Sequence, residues 1–214
     1  PIHRRFLLIR PIRLDVELSR GIIVAVKIEL PPITDPISEA LHFLRMSGTF
    51  YCRSDFSAPW ALSLPPMQNC LMLHVLTTGR CLLEVEGSSP HWLQAGDLAL
   101  VPHGEGHVLA SAPGLPSSKL FELPRKLVSE RYEILQLGGG GEPGTMICGL
   151  FQFDHLAAQQ LIALLPRVIT IDAWASPQTE WIQSTLRMIS AETKVMRPGG
   201  ETVITRLADI LVIH

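Results

Sequence analysis

The sequence predicts a mainly β chain, a barrel or sandwich of short strands with a helix before it and a helical segment after it. Three observations carry that prediction. Between residue 49 and about residue 153, short apolar runs recur, separated by Pro, Gly, Ser and Asn, as in antiparallel barrels and sandwiches. After Asp154 the apolar spacing becomes helical. Residues 96–107, GDLALVPHGEGH, read as a strand, a glycine turn and a histidine directly after the turn.

The whole-chain numbers are compatible with this. The chain has 214 residues, 47% of them apolar and 18% charged, with a net charge of −2. That is enough apolar side chain for a sizeable core and argues against global disorder. It lacks the basic footprint of an isolated nucleic-acid-binding domain. The four cysteines, Cys52, Cys70, Cys81 and Cys148, form no C-x-x-C pair, so reduced thiols and a cytoplasmic setting are expected. Residues 21–30, GIIVAVKIEL, are interrupted by Lys27 and Glu29 and are too short to span a bilayer. Arg10, Arg13 and Arg20 precede them, but no small-residue cleavage site follows.

The elements follow in order. Residues 1–34 read as an appendage with strands near 6–10 and 21–30, closed by Pro31 and Pro32. In DPISEALHFLRMSG, Asp35 suits an N-cap and Pro36 the first helical position, with Gly48 placed to stop the helix. Strands are then expected in TFYCRSDF, APWALSLP, LMLHVLTTG, CLLEVEG, HWLQAG, DLALVP and GHVLAS. Residues 111–131 are a polar, Pro-containing excursion. YEILQLGGGG gives a strand and then Gly138 to Gly141, which read as a flexible loop, since no strand–GxGxxG–helix order surrounds them. TMICGLFQF is a further strand. LAAQQLIALLP is a helix, RVITI a short strand or turn, and 177–195 a long helix with Trp181, Ile182, Leu186, Met188 and Ile189 at helical spacing. Over 201–214, Val203, Ile204, Leu207, Ala208, Leu211 and Val212 form an apolar stripe, with Arg206 and Asp209 facing away. That helix reaches His214 without a stop signal, which leads us to expect more chain after it.

Gly96, Pro102, Gly104 and His107 match G-x5-P-x-G-x2-H, a pattern that resembles the second sequence motif of cupins. Physically, Leu98, Leu100 and Pro102 alternate with Ala99 and Val101, suiting a strand buried on both faces, and Gly104 permits a positive φ in the turn. Further pieces occur in order: DPISEALHFLRMSGTFYCRSDFSAPWALSLP, LHVLTTGRCLLEVEG, LQAGDLALVPHGEGHVL, the glycine run with ICGLFQFD, and ETVITRLADILVIH. Together they make 35–214 resemble the cupin-type N-terminal domain of AraC-family transcriptional regulators. The resemblance implies a cupin barrel, a double-stranded β-helix or jelly roll, over 35–154 that senses a small-molecule effector. It implies a helical segment over 155–214 through which two copies pair. DNA would be bound only through a C-terminal helix-turn-helix domain outside this chain, and no membrane is involved.

His74 and His107 are the leading site residues. Each lies in a strand whose alternate side chains face inward, and His74 shares its face with Met72 and Leu76. With Trp60 they are the expected ligand pocket. Cys52 and Cys148 would add two sulfur donors, and a Cys52–His74–His107–Cys148 set suits tetrahedral zinc. The bland reading is a pair of satisfied core histidines and small buried thiols. Trp60, Trp92 and Phe50 either line the pocket or pack the barrel, Cys70 and Cys81 are structural, Asp97 is a turn residue, and His91 and His103 are exposed. No Ser-His-Asp order or paired carboxylates call for catalysis. The alternative function is a small metal-dependent cupin enzyme, a dioxygenase or isomerase. Against it, LMLHVLTTG offers His74 alone where metal cupins carry H-x-H and a Glu. A storage cupin is a third reading.

Overall fold

A computed structural model describes residues 13–19, 22–29, 46–153, 156–172, 180–195 and 197–213. The chain divides into Pro1–Glu39 and Ala40–His214. In the first unit, β1 (Arg13–Ser19) and β2 (Ile22–Glu29) pair antiparallel, with an irregularity between Glu17 and Leu18. The strand expected near 6–10 and most of the helix expected from Asp35 lie outside the described residues. The end of that helix is corrected: Met46, Ser47 and Gly48 already belong to a strand.

The second unit is built on two facing sheets. Its strands are β3 (Met46–Ser57), β4 (Ala61–Leu64), β5 (Cys70–Thr78), β6 (Arg80–Val85), β7 (His91–Gln94), β8 (Leu98–Val101), β9 (His107–Ala110), β10 (Ser118–Lys119), β11 (Arg125–Ser129), β12 (Tyr132–Gly138), β13 (Pro143–Phe153) and β14 (Ile169–Ile171). The larger sheet runs β11-β12-β3-β13-β5-β8-β14 and the smaller β10-β4-β9-β6-β7. Pairing is antiparallel except for β12 with β3 and β10 with β4. The helices are α1 (Leu156–Ala163), α2 (Glu180–Val195) and α3 (Gly200–Ile213).

The period-two patterning sorts side chains onto two cores. From the larger sheet, Met72 and Leu76 of β5, Ala99 and Val101 of β8, and Met146 of β13 face inward, where they meet Leu62, Leu83, Leu93 and Leu109. Their neighbours Leu71, Leu73, Val75, Leu98, Leu100, Ile147 and Phe151 face outward and are covered by Ile182, Leu186 and Ile189 of α2 and Ile204, Ala208 and Leu211 of α3. This is why β8 reads as a continuous apolar run: both of its faces are buried.

The turn after β8 depends on glycine. Gly104 has φ +62°, and a Cβ there would collide with the Met67 carbonyl oxygen. The glycine run after β12 is not a loose loop, which corrects the sequence reading. The Gly139 and Gly141 N–H groups donate to the carbonyls of Ser57 and Ala58, and that of Gly140 to Ser57 Oγ. A side chain at Gly139 would strike Pro59, so the close approach itself demands glycine. The 111–131 excursion also holds more structure than expected: β10, a 3₁₀ turn at Leu120–Glu122, and β11.

Asp209 does not face away as the stripe on α3 implied. Its side chain is largely covered, and burial raises its carboxyl above the usual range while Arg206 opposes that shift. The helical spacing in α2 serves two faces. Ile182, Leu186 and Ile189 are buried, whereas Trp181 and Met188 are exposed.

Candidate functional site

One rung of the larger sheet builds the site. In register across β12, β3, β13, β5 and β8 stand Glu133, Cys52, Cys148, His74 and Ala99. Directly paired residues share a face, so these side chains project inward together. His107 arrives from β9 of the opposing sheet, at the end of the Gly104 turn. His74 and His107 are 1% and 4% exposed, and their Nε2 atoms are 2.8 Å apart.

The surrounding partners fix every proton in this group. The Glu105 carbonyl can only accept, so His107 Nδ1–H donates to it at 2.9 Å. The neutral His107 ring then accepts at Nε2, and His74 Nε2–H is the donor. His74 Nδ1 is left as an acceptor, and the Cys148 thiol donates to it at 3.2 Å. Burial, and secondarily the neighbouring His107, holds His74 well below the ordinary imidazole range; burial lowers His107 too, opposed by the Glu105 carbonyl. Burial likewise raises Cys148 well above its usual value and Cys52 to about 11. All four groups are therefore neutral around pH 7, as a water-poor interior demands.

The rung borders a cavity of about 350 Å³. Cys52, Ser54, His74 and Cys148 line one part of it, and Phe50, Leu62, Leu64, Met67, Met72 and Leu150 supply an apolar body. Leu120, Phe121 and Arg125 come from the 111–131 excursion. Glu133 is the one carboxylate in the lining. Arg125 Nη1 lies 3.3 Å from Glu133 Oε1, and its guanidinium sits 5.3 Å from the Phe121 ring centre.

The structure brings together His74, His107, Cys52 and Cys148, but not as four donors aimed at one point. His74 turns Nε2 to His107 and Nδ1 to Cys148, on opposite edges of one ring. A single ion cannot take both partners together with His74, and among the described residues no group of three or more His, Cys, Asp or Glu is arranged to hold a metal. As they stand, the four side chains do not converge as the tetrahedral zinc set expected from the sequence would. Two of the expected pocket residues do not line the cavity: His107 is bonded behind His74, and Trp60 stacks on Phe56 at 3.8 Å between ring centres. Trp92 lies under Arg80, 3.7 Å from the guanidinium carbon, whereas Phe50 does line the cavity. Asp97 accepts from the Gln94 N–H in a turn, as expected. His91 and His103 are half-buried rather than exposed, and His103 Nε2–H donates to the Leu165 carbonyl.

The residues that sequence reasoning missed are Arg125, Glu133 and Phe121. Glu133 did leave a signal. In YEILQLG it occupies the same strand face as Leu135, an acid on the inward side. Arg125 and Phe121 lie in the excursion, where no period marks direction.

The cupin family model matches residues 35–214. The chain is 21% identical over 182 residues to the HTH-type transcriptional regulator AlkR of Acinetobacter baylyi, covering 84% of this chain and 59% of that protein. It is 23% identical over 180 residues to the HTH-type transcriptional regulator MtrA of Neisseria gonorrhoeae, covering 84% and 56%. The chain thus spans less than two thirds of the length of either regulator. A crystal structure of an apo ToxT variant from Vibrio cholerae aligns over 77% of this chain and 54% of its own, with 7% identity and a TM-score of 0.43. Among the described residues, no helix is long and apolar enough to cross a membrane.

Proposed function

The chain belongs to the cupin family, and on that premise we propose that it is the effector-sensing and dimerisation part of an AraC-type transcriptional regulator. The observation that carries this reading is the apolar cavity bordered by the neutral Cys148 and His74, with His107 bonded behind His74. Such a cavity suits a small, mostly apolar effector. Two regulators of transcription that align with 84% of this chain support the same reading. DNA would be contacted by the part of a longer regulator to which this chain does not correspond.

The site does not favour the enzyme alternative. A lone carboxylate, already paired with Arg125, offers no second acid or base, and the two imidazoles spend their facing nitrogens on each other.

Pairing through the helices is supported by a second pattern. On α2, Trp181, Met188 and Val195 are exposed at intervals of seven; on α3, Val203 and Ile210 repeat that interval. Residues seven apart lie on one face of a helix, so these side chains form an exposed apolar seam on each helix, a surface suited to packing across an interface. A second copy presenting the same seam would form a closed twofold dimer, bringing two DNA-binding parts to adjacent half-sites.

Binding of the fluorescent apolar probe N-phenyl-1-naphthylamine tests the cavity reading. We expect one saturable site per chain, lost in Leu150→Trp, which fills the cavity from β13. No saturable binding, or binding unchanged in a folded Leu150→Trp protein, overturns it.

A further inference from the structure

The cavity holds one feature that an apolar effector alone does not explain, a charged pair inside its wall. Glu133 is fixed on β12, in the rung with Cys52 and Cys148, and its side chain is 6% exposed. Its partner Arg125 is on β11, the edge strand of the sheet, with a side chain 29% exposed. The two groups are therefore unequal. Arg125 has water within reach, whereas Glu133 cannot leave the wall. A buried carboxylate stripped of its cation is strongly disfavoured. An anionic ligand that captured Arg125 would impose that state; a cationic ligand that displaced Arg125 would not.

The position of the guanidinium also describes a site. It stands between the Glu133 carboxylate at 3.3 Å and the Phe121 ring face at 5.3 Å. A carboxylate and an aromatic face are the two surfaces that hold an organic cation. Both groups line the same cavity as the apolar body formed by Leu62, Met67 and Met72.

We propose that Glu133 and Phe121 form a cation subsite in this cavity, that Arg125 fills it in the empty protein, and that the effector is an apolar molecule with a positively charged head that takes the place of Arg125. The proposal rests on the reading of the cavity as an effector site and adds the class of effector. Effector entry breaks the Arg125–Glu133 contact and loosens β11 at its first residue. The last residue of β11, Ser129, donates to Glu201 in the first turn of α3 at 2.6 Å. Displacing Arg125 therefore acts on a strand tied directly to one of the two helices that carry the exposed seam.

The test uses three probes of equal tail length, octyltrimethylammonium, octanoate and 1-octanol, titrated below their aggregation concentrations by isothermal calorimetry and by competition with N-phenyl-1-naphthylamine. We expect octyltrimethylammonium to bind at least about tenfold more tightly than the other two, the scale of one charge-assisted contact. In Glu133→Gln that preference should vanish. In Arg125→Ala, which needs no displacement and keeps Glu133, the cation should bind more tightly than in the parent protein. Tightest binding of octanoate, or a cation preference that survives Glu133→Gln, overturns the proposal. Equal binding of all three also overturns it but leaves the apolar effector site standing. Failure of every probe, N-phenyl-1-naphthylamine included, overturns both. If Glu133→Gln does not fold, the Arg125→Ala titration alone decides, since an unchanged or weakened cation affinity there contradicts the displacement.

Discussion

Acidification should destabilise this protein through the His74–His107 pair, and the size of the effect follows from the geometry. In the unfolded chain each imidazole takes up a proton as the pH falls through about 6.5. In the folded protein the pair resists, because burial disfavours the charged rings. A proton on His107 Nε2 would also set two N–H groups face to face across 2.8 Å. The unfolded state therefore binds more protons, and stability is complete above that pH and falls below it. Between about pH 7.5 and 5.5, a histidine that stays neutral in the fold loses about 1.4 kcal/mol of stability. His74, the more strongly shifted, should contribute all of that and His107 up to the same amount, for a total of about 1.4–2.7 kcal/mol. Against a typical domain stability of about 5–15 kcal/mol this is large.

Urea unfolding at the two pH values, with a chelator present, measures the loss. The His74→Leu/His107→Leu double variant supplies the baseline, because every carboxylate still titrates in it. Subtracting the variant should leave the histidine contribution. A difference below about 0.5 kcal/mol would refute the buried neutral pair, since a group charged equally in both states gives no slope.

Other expectations are simpler to state. Gly104→Ala places a Cβ against the Met67 carbonyl at a positive φ, so we expect a loss of at least about 2 kcal/mol in thermal or urea melts; a parent-like melt would contradict the turn. Met188→Glu puts a charge on the exposed seam of α2 and should lower dimer affinity by about tenfold or more in sedimentation equilibrium without changing the melting of the barrel. Because His74 divides its nitrogens between His107 and Cys148, we expect less than stoichiometric zinc by metal analysis after dialysis. One zinc per chain, lost in both His107→Ala and Cys148→Ala, would reinstate the four-ligand site.

Much of this was legible in the sequence where side-chain direction follows from a period. Alternation along LMLHVL puts His74 on the same face as Met72 and Leu76, and the glycine turn carries His107 inward. Alternation does not report which atom of a ring meets which neighbour. What the sequence could not foresee about the zinc expectation is therefore ring orientation; that Cys52, Cys148 and His74 are register partners is a separate matter of strand pairing. Trp60 was misassigned because a large aromatic beside a proline reads equally as a pocket wall or as packing, and Phe56 decides for packing. Residues 111–131 gave least, since a segment held by two short strands and a single 3₁₀ turn carries no repeat long enough to read.

The place of β3 in its sheet sets an order of events during synthesis. β3 is flanked by β12 and β13, so Cys52 waits for neighbours that leave the ribosome only with residues 132–153. The strands between can pair earlier, but the wall carrying Glu133, Cys148 and His74 closes only when the two ends of the barrel meet. Contacts of that span are slow to form, on the order of milliseconds to seconds. A nascent or truncated chain lacking β13 has no complete cavity wall, and its unpaired β3 and β5 edges are exposed to other chains. The cavity wall thus exists only once β13 is in place, with β14 alone among the strands of that sheet still to join.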